Sequence, residues 1–393
     1  MSTPRVLFVD DEQRILDGLR RSLRGKRGEW EMTFVTSGAE ALAILAESSH
    51  NVVVSDMRMP GMDGAELLTL VSKRHPEVAR VVLSGHTEPE AAIKVAVAGH
   101  RFLNKPSDPG SVVAVIEQLI GTTSDSHAAQ VRRVAGAVRS LPTLPGHAER
   151  LSALLQAPDV EMATAIDAAS HDVGLIAKLL QLSNSAFLGS RPRVLSVDGV
   201  VNALGLPTVQ ALVAAGHVLW SSVTWGPEDQ RHLEIAWRHA VATGHVVGAM
   251  ASPANRPYAQ AAAMLQDVGR FACLARDTGG AAGEAEATGC DGVSYRDVGV
   301  ELLHLWGLPA PIVTAVAERD RRCEPSPAGL GVTGAVRAAH LLVQGTGSRD
   351  PSAGTDPEEL AALLAHPQLA GRDTDWPALA AAASDRAERC VRA

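Results

Sequence analysis

Aromatic residues are scarce in this chain: two Tyr, five Phe and six Trp make up 3 % of 393 residues. Its cores must therefore be built mainly from Ala, Val and Leu. Cysteine is rarer still, at four residues, Cys273, Cys290, Cys323 and Cys390, and none stands in the Cys-x-x-Cys spacing of a metal or redox motif. They are expected to be core or surface thiols in a reducing compartment. No apolar run approaches the roughly 20 residues that cross a bilayer, and the first residues resemble no signal peptide. The expectation is a cytoplasmic protein that does not enter a membrane. Basic residues are not in surplus either: 36 Lys and Arg against 44 Asp and Glu give a net charge of −8. With no dense basic cluster, direct DNA binding is not expected. The length allows two or three domains.

The first 120 residues alternate two periods. Strand-like apolar runs fall at Arg5 to Val9, Glu31 to Val35, Val52 to Ser55, Arg80 to Leu83 and Arg101 to Leu103. Helical spacing fills the intervals at Gln13 to Leu23, Gly38 to Glu47, Ala65 to Lys73, Glu90 to Ala98 and Pro109 to Leu119. Thr87 with Glu90 three residues on reads as a capping box for the fourth helix. Strands separated by helices imply an α/β, doubly wound, parallel five-stranded sheet.

In such a sheet the residues just past each strand share one edge, where ligands bind. Here they are Asp10 and Asp11 after the first strand, Asp56 after the third, Ser84 after the fourth and Lys105 after the fifth. Three carboxylates held close together repel unless a cation neutralises them, and carboxylate oxygens with water suit Mg²⁺. A hydroxyl and an ammonium beside them would hold phosphoryl oxygens. Singly these residues read as turns, caps or solvated side chains. Their convergence on one edge points to a Mg²⁺-dependent phosphoryl acceptor.

Asp10-Asp11, Asp56-Met-Arg-Met-Pro-Gly-Met-Asp-Gly64, Ser84 and Phe102-Leu-Asn-Lys105-Pro106 resemble a response-regulator receiver domain over roughly residues 4 to 120. The resemblance implies that Asp56 accepts phosphate from a sensor histidine kinase. Asp11, Asp56 and the backbone carbonyl of Arg58 would hold Mg²⁺, with Asp10 acting mainly through water. Lys105 would pair with the phosphoryl oxygens, and Lys105-Pro106 would be a cis bond. Ser84 and Phe102 would be the switch pair.

Gly121 to Gln130 is small and polar, an exposed connector, and Val131 to Val138 could continue from it as a helix. Beyond it strand patterns disappear, and helical spacing recurs between Pro and Gly breaks as far as Ala387. Asp356-Pro357 supplies an N-cap with Pro at the first helical position. Gly345 to Thr355 reads as an exposed loop, and the region as a whole as all-α.

A histidine census bears on catalysis here, because helical metallohydrolases gather His and Asp from several helices. His171-Asp172 is the one consecutive pair, and Asp172 reads more simply as a helix N-cap. Leu141-Pro-Thr-Leu-Pro145, Asp172 to Ala186, Ala203-Leu-Gly205, Trp237-Arg-His239, Met264 to Arg270 and Leu303 to Pro309 are similar to an HDOD domain. HDOD domains are relatives of the HD phosphohydrolases that have generally lost the metal site. In the places where an HD enzyme has ligands stand Gln266-Asp267, Tyr295 and Glu318-Arg319, and His239 remains. His304, Trp237 and Trp306 read as core residues. Asn184-Ser185 reads as a helix C-terminus or a buried polar pair.

The expected organisation is a receiver at residues 1–121, a linker at 122–133, a non-catalytic HDOD output domain at 134–345 and a helical extension at 346–393. Its expected partners are a sensor histidine kinase and a downstream signalling protein, with a homodimer as a further possibility. The alternative is an HD-type phosphodiesterase acting on a nucleotide or cyclic dinucleotide.

Overall fold

The computed structural model describes residues 3–85, 99–105, 108–120, 126–184, 196–216, 219–221, 225–275, 289–324, 326, 329–346 and 356–392. Five strands form one parallel sheet: β1 (Arg5–Val9), β2 (Glu31–Val35), β3 (Val52–Asp56), β4 (Ala79–Ser84) and β5 (Arg101–Asn104). Their order is β2-β1-β3-β4-β5. β3, Val-Val-Val-Ser-Asp, is buried along its whole length, as a central strand covered on both faces must be. The helices α1 (Gln13–Ser22), α2 (Gly38–Glu47), α3 (Gly64–Arg74) and α4 (Pro109–Ile120) follow the strands. Ser37 and Asp63 cap α2 and α3 by accepting from the N–H groups of Glu40 and Glu66. The sheet of the sequence reading is present. The capping box Thr87/Glu90, its helix and the bond to Pro106 lie outside the described residues.

Helix α5 (Ser126–Gly136) comes next, so the connector enters the second region as a helix. After it stand α6 (His147–Leu155), α7 (Met162–Ala169), α8 (Val173–Asn184), α9 (Val197–Leu204) and α10 (Leu206–Ala214). The long α11 (Pro227–Met250), α12 (Arg256–Leu265) and α13 (Val268–Leu274) follow, with α12 packed against α8. The chain closes with α14 (Tyr295–Leu305), α15 (Ala310–Glu318), α16 (Gly331–Gly345), α17 (Pro357–Leu364), α18 (Pro367–Ala370) and α19 (Trp376–Arg392). Asp356 caps α17 with Pro357 in its first turn, and Trp237 and Trp306 are 1 % exposed core residues. No single described helix is long and apolar enough to cross a membrane.

The second region is helical, as expected, with one addition: β6 (Gly289–Cys290) and β7 (Val293–Ser294) form a small antiparallel hairpin before α14. Its two turn residues, Asp291 and Gly292, both have positive φ, but strands this short leave no periodic signal. Two expectations need correction. First, Cys273 and Cys290 are not free thiols: they form a disulfide with Cα atoms 6.1 Å apart. Their separation of 17 residues resembles no motif, and tertiary packing alone brings them together. Cys323 and Cys390 are free. Second, His304 is not in the core but joins the two parts of the molecule.

That junction is built from the ends of two helices. Arg101, at the start of β5, donates to the carbonyl of His304 in the last turn of α14 at 2.9 Å. His304 Nε2 donates in return to the carbonyl of Gln118 in the last turn of α4 at 2.8 Å. Each part thus caps a helix C-terminus of the other with a basic side chain, where orphan carbonyls and the helix dipole favour one. Arg132 of α5 adds a bond to the Leu119 carbonyl at 2.7 Å and an ion pair with Glu301 of α14. Gln181 of α8 donates to the carbonyls of Gly99 and His100 at 3.0 and 3.3 Å. Arg80 reaches the Gly136 carbonyl at 2.9 Å.

Two glycines permit this approach. A Cβ on Gly136 would stand 1.9 Å from the Pro76 carbonyl oxygen, and one on Gly307 would stand 1.9 Å from the Arg101 guanidinium. The receiver groups engaged here, the end of α4 included, lie at the amino edge of the sheet. The edge carrying Asp10, Asp56 and Lys105 is the opposite one.

Candidate functional site

At the carboxyl edge Asp10 and Asp56 are buried, 1 % and 7 % exposed, and both face one ammonium. Lys105 Nζ lies 2.7 Å from Asp10 Oδ2 and is ion-paired with Asp56 Oδ1. Burial disfavours the charged lysine, but its hydrogen bonds to Asp10 and Asp56 outweigh that and raise its pKa above the ordinary lysine value. The remaining carboxylate oxygens take backbone donors: Glu12 N–H to Asp10 at 3.0 Å and Arg58 N–H to Asp56 at 2.8 Å. Lys105 is held by its own backbone, whose N–H donates to the Ser84 carbonyl at 2.8 Å. Ser84 is 5 % and Phe102 2 % exposed. Asp11 and Arg58 are exposed on the rim.

The chemistry of the edge is a carboxylate, Asp56, presented beside a fixed ammonium at the end of a rigid strand. The oxygens of Asp10, Asp11, Asp56 and the Arg58 carbonyl are hard donors of the kind Mg²⁺ prefers, so the set fits that ion by chemistry. Among the described residues no three His, Cys, Asp or Glu side chains are gathered as a metal cage. In this arrangement the Lys105 ammonium neutralises Asp10 and Asp56 directly.

A second polar cluster lies inside the helical region. His239 Nε2 faces His340 Nδ1 at 2.8 Å, and both rings are fully buried. His340 Nδ1 is also 3.1 Å from Gln266 Oε1, while Gln344 Nε2 lies 2.9 Å from His340 Nε2. Burial, reinforced by His239 and Arg319, holds the His340 pKa well below the ordinary histidine value, so the ring is neutral. A neutral ring with its proton on Nδ1 satisfies this geometry. Arg319 forms an ion pair with Asp267 and donates to the Gln266 carbonyl at 2.8 Å. Burial would raise the Asp267 pKa, but Arg319 first and then Arg270 pull it far below the usual carboxylate range.

As arranged, the Asp267 carboxylate is taken by a guanidinium, and the imidazoles are bonded to each other and to amides. The sequence reading found Asp267, His239 and Arg319 but missed His340, whose setting in the apolar helix α16 gave no signal. The Arg270 guanidinium lies over Tyr295, 5.7 Å from the tyrosine ring centroid.

Asp172 is 1 % exposed and does more than cap α8. It accepts from Leu175 N–H at 2.6 Å, from the Thr143 hydroxyl at 3.1 Å and from Trp220 Nε1 at 3.2 Å, and His147 Nε2 stands 3.2 Å away. The Leu141 to Pro145 segment is thereby tied to the start of α8. Asn184 ends that helix, its amide donating to the Leu180 carbonyl at 3.0 Å.

The sheet order and its acidic edge define a receiver-type signalling fold. The family model for the response regulator receiver domain matches residues 6–117. The HDOD domain model matches residues 141–321. The chain therefore joins a response regulator receiver domain to an HDOD domain. It is similar to the hydrogenase transcriptional regulatory protein HoxA of Cupriavidus necator, 39 % identical over 127 residues, covering 31 % of this chain and 26 % of HoxA. It is also similar to the DNA-binding transcriptional regulator NtrC of Escherichia coli, 37 % identical over 116 residues, covering 29 % of this chain and 24 % of NtrC. The chain thus spans about a quarter of the length of these relatives. A solved receiver domain of an HD domain-containing protein from Pseudomonas fluorescens is 27 % identical, covers 31 % of this chain and 89 % of that domain, and gives a TM-score of 0.29.

Proposed function

We propose that this chain is a response regulator whose Asp56 accepts a phosphoryl group from a sensor histidine kinase and whose HDOD domain signals by protein contact rather than by hydrolysis. The observation that carries the first part is the Lys105 ammonium clamped between Asp10 and Asp56 at the open edge of the sheet. In the transfer an Asp56 oxygen forms the new O–P bond as the N–P bond of the donor phosphohistidine breaks. Lys105 exchanges its contact with Asp56 for the incoming phosphoryl oxygens. Mg²⁺, bound by Asp11, Asp56, the Arg58 carbonyl and, through water, Asp10, would neutralise the phosphoryl charge.

Coupling to the output runs through β5. Lys105 at its end and Arg101 at its start are four residues apart, about 13 Å at strand rise. Phe102 lies between them on β5, and Ser84, opposite Asn104 at the end of β4, completes the switch pair. Phe102 is buried, with ring atoms 3.2 Å from where a Cβ on Gly99 would stand. A switch here works by repacking the ring against Gly99, whose carbonyl Gln181 holds. Phosphorylation shifts the population between docked and released arrangements.

The non-catalytic reading of the HDOD domain rests on Arg319 and the mutually bonded His239 and His340. It favours a protein partner over the HD-type phosphodiesterase alternative. The domain limits proposed are 1–121, 122–133, 134–345 and 346–393, in a cytoplasmic protein that can form a homodimer. DNA binding is a property of NtrC, whose match covers 29 % of this chain.

The test is exposure of the full chain to BeF₃⁻ or acetyl phosphate with Mg²⁺. Tryptophan fluorescence and hydrogen exchange should change in wild type and stay constant in Asp56→Asn. An equal response in both proteins sinks the reading.

A further inference from the structure

The disulfide is the feature that phosphoryl signalling leaves unused. Cys273 stands in the last turn of α13, and Cys290 stands in β6, the first strand of the hairpin. Both are partly exposed, so small thiols and disulfides can reach them. The hairpin they anchor is held by a two-residue ladder, pairing Gly289 with Ser294 and Cys290 with Val293. A ladder of that length is marginal without support. Sulfur–sulfur bonding is therefore a principal constraint on where the hairpin sits.

The hairpin's position matters because it leads directly into α14. β7 ends at Ser294, whose hydroxyl caps α14 by accepting from Asp297 N–H at 3.1 Å. The hairpin packs on α13, on α14 and on the connecting helix α5. Helix α14 then carries Glu301, which binds Arg132 of α5, and ends at the His304 carbonyl, which binds Arg101 of the receiver. One covalent bond at the head of α14 thus supports the surface on which the receiver rests at its tail.

We infer that Cys273 and Cys290 are a reversible thiol–disulfide site, a second input by which the redox state of the surroundings sets the firmness of the receiver's seat. The oxidant class is a low-molecular-weight disulfide such as oxidised glutathione. One protein thiolate attacks it, forming a mixed disulfide and releasing one glutathione thiolate. The second protein thiolate then displaces the other glutathione, closing the Cys273–Cys290 bond. Two electrons and two protons pass from the protein thiols to two molecules of reduced glutathione. A partly exposed disulfide is the labile rather than the permanent kind.

The experiment equilibrates the full chain in glutathione buffers of graded ratio, quenches with an alkylating agent and maps the peptides. A single transition is expected, in which the 273–290 cross-link replaces two alkylated cysteines while Cys323 and Cys390 stay alkylated. Hydrogen exchange on the two end states should show faster exchange in residues 289–305 and 126–136 after reduction. Cys290→Ser should reproduce the reduced pattern at every ratio, whereas Cys390→Ser should titrate like wild type. The proposal is overturned if both thiols are alkylated even in fully oxidised buffer. It is equally overturned if excess reduced glutathione leaves the native bond intact, or if exchange in the two segments is the same in both states. These readouts are independent of Asp56, so they stand or fall apart from the phosphoryl reading.

Discussion

Arg101→Ala tests the docked arrangement at its most concentrated point. The guanidinium donates to the His304 carbonyl at 2.9 Å and to Gln118 Oε1 at 3.2 Å, in a side chain that is largely buried. A hydrogen bond from a charged group is worth about 1.5–3 kcal/mol net. A cation at a partly buried helix C-terminus contributes up to about 2 kcal/mol more. The two overlap, since the same group supplies both, so a loss of about 3 kcal/mol is expected. At about 1.4 kcal/mol per tenfold, docking should weaken roughly a hundredfold. Hydrogen exchange on the full chain reads this at amides 302–307 and at the end of α4, which should lose protection together. Arg101→Lys keeps the charge but not the fork, and should lose less. Gly307→Ala should mimic Arg101→Ala, because its Cβ would occupy the guanidinium's place at a residue whose φ is already +81°. If Arg101→Ala leaves exchange at both helix ends as in wild type, the two parts are not held by these caps.

Other outcomes stem from buried charge. Arg319→Ala leaves Asp267 ionised and deprived of its principal partner in the interior, and should cost about 3–5 kcal/mol in urea unfolding; a loss under about 1 kcal/mol refutes the pairing. Lys178 is drawn down to about 7, chiefly by burial and then by Arg139 and Arg80. The unfolded chain keeps that proton up to about 10.5. Stability should therefore rise with pH from about 7 toward 10.5, and Lys178→Met should flatten that slope. The Asp172 pKa is lowered although burial raises it, because His147, the Leu175 N–H and Trp220 favour the anion. Its contribution is present above the unfolded carboxylate value and lost as pH falls through the lower folded one. Asp172→Ala should remove that acid-sensitive component in pH-dependent melting.

The strands, the described helices beside them and the positions of the residues at the acidic edge were legible in the sequence. Local periodicity fixes each element, and parallel winding sends every strand end to one edge, so Asp10, Asp56, Ser84 and Lys105 must meet. Caps at Asp172 and Asp356 were legible for the same reason, since a cap acts within three residues. What only the tertiary structure decided are the contacts made between elements far apart in the chain. His304 looked like a core residue because a helix periodicity cannot distinguish a face covered by its own domain from one covered by another. His340 and Arg319 meet Asp267 and His239 only once α11, α12, α15 and α16 are packed. Cys273 and Cys290 became partners through a hairpin too short to leave a pattern. A sequence states which groups a chain carries and how each helix or strand orients them; which of them touch depends on packing at distances that no local period encodes.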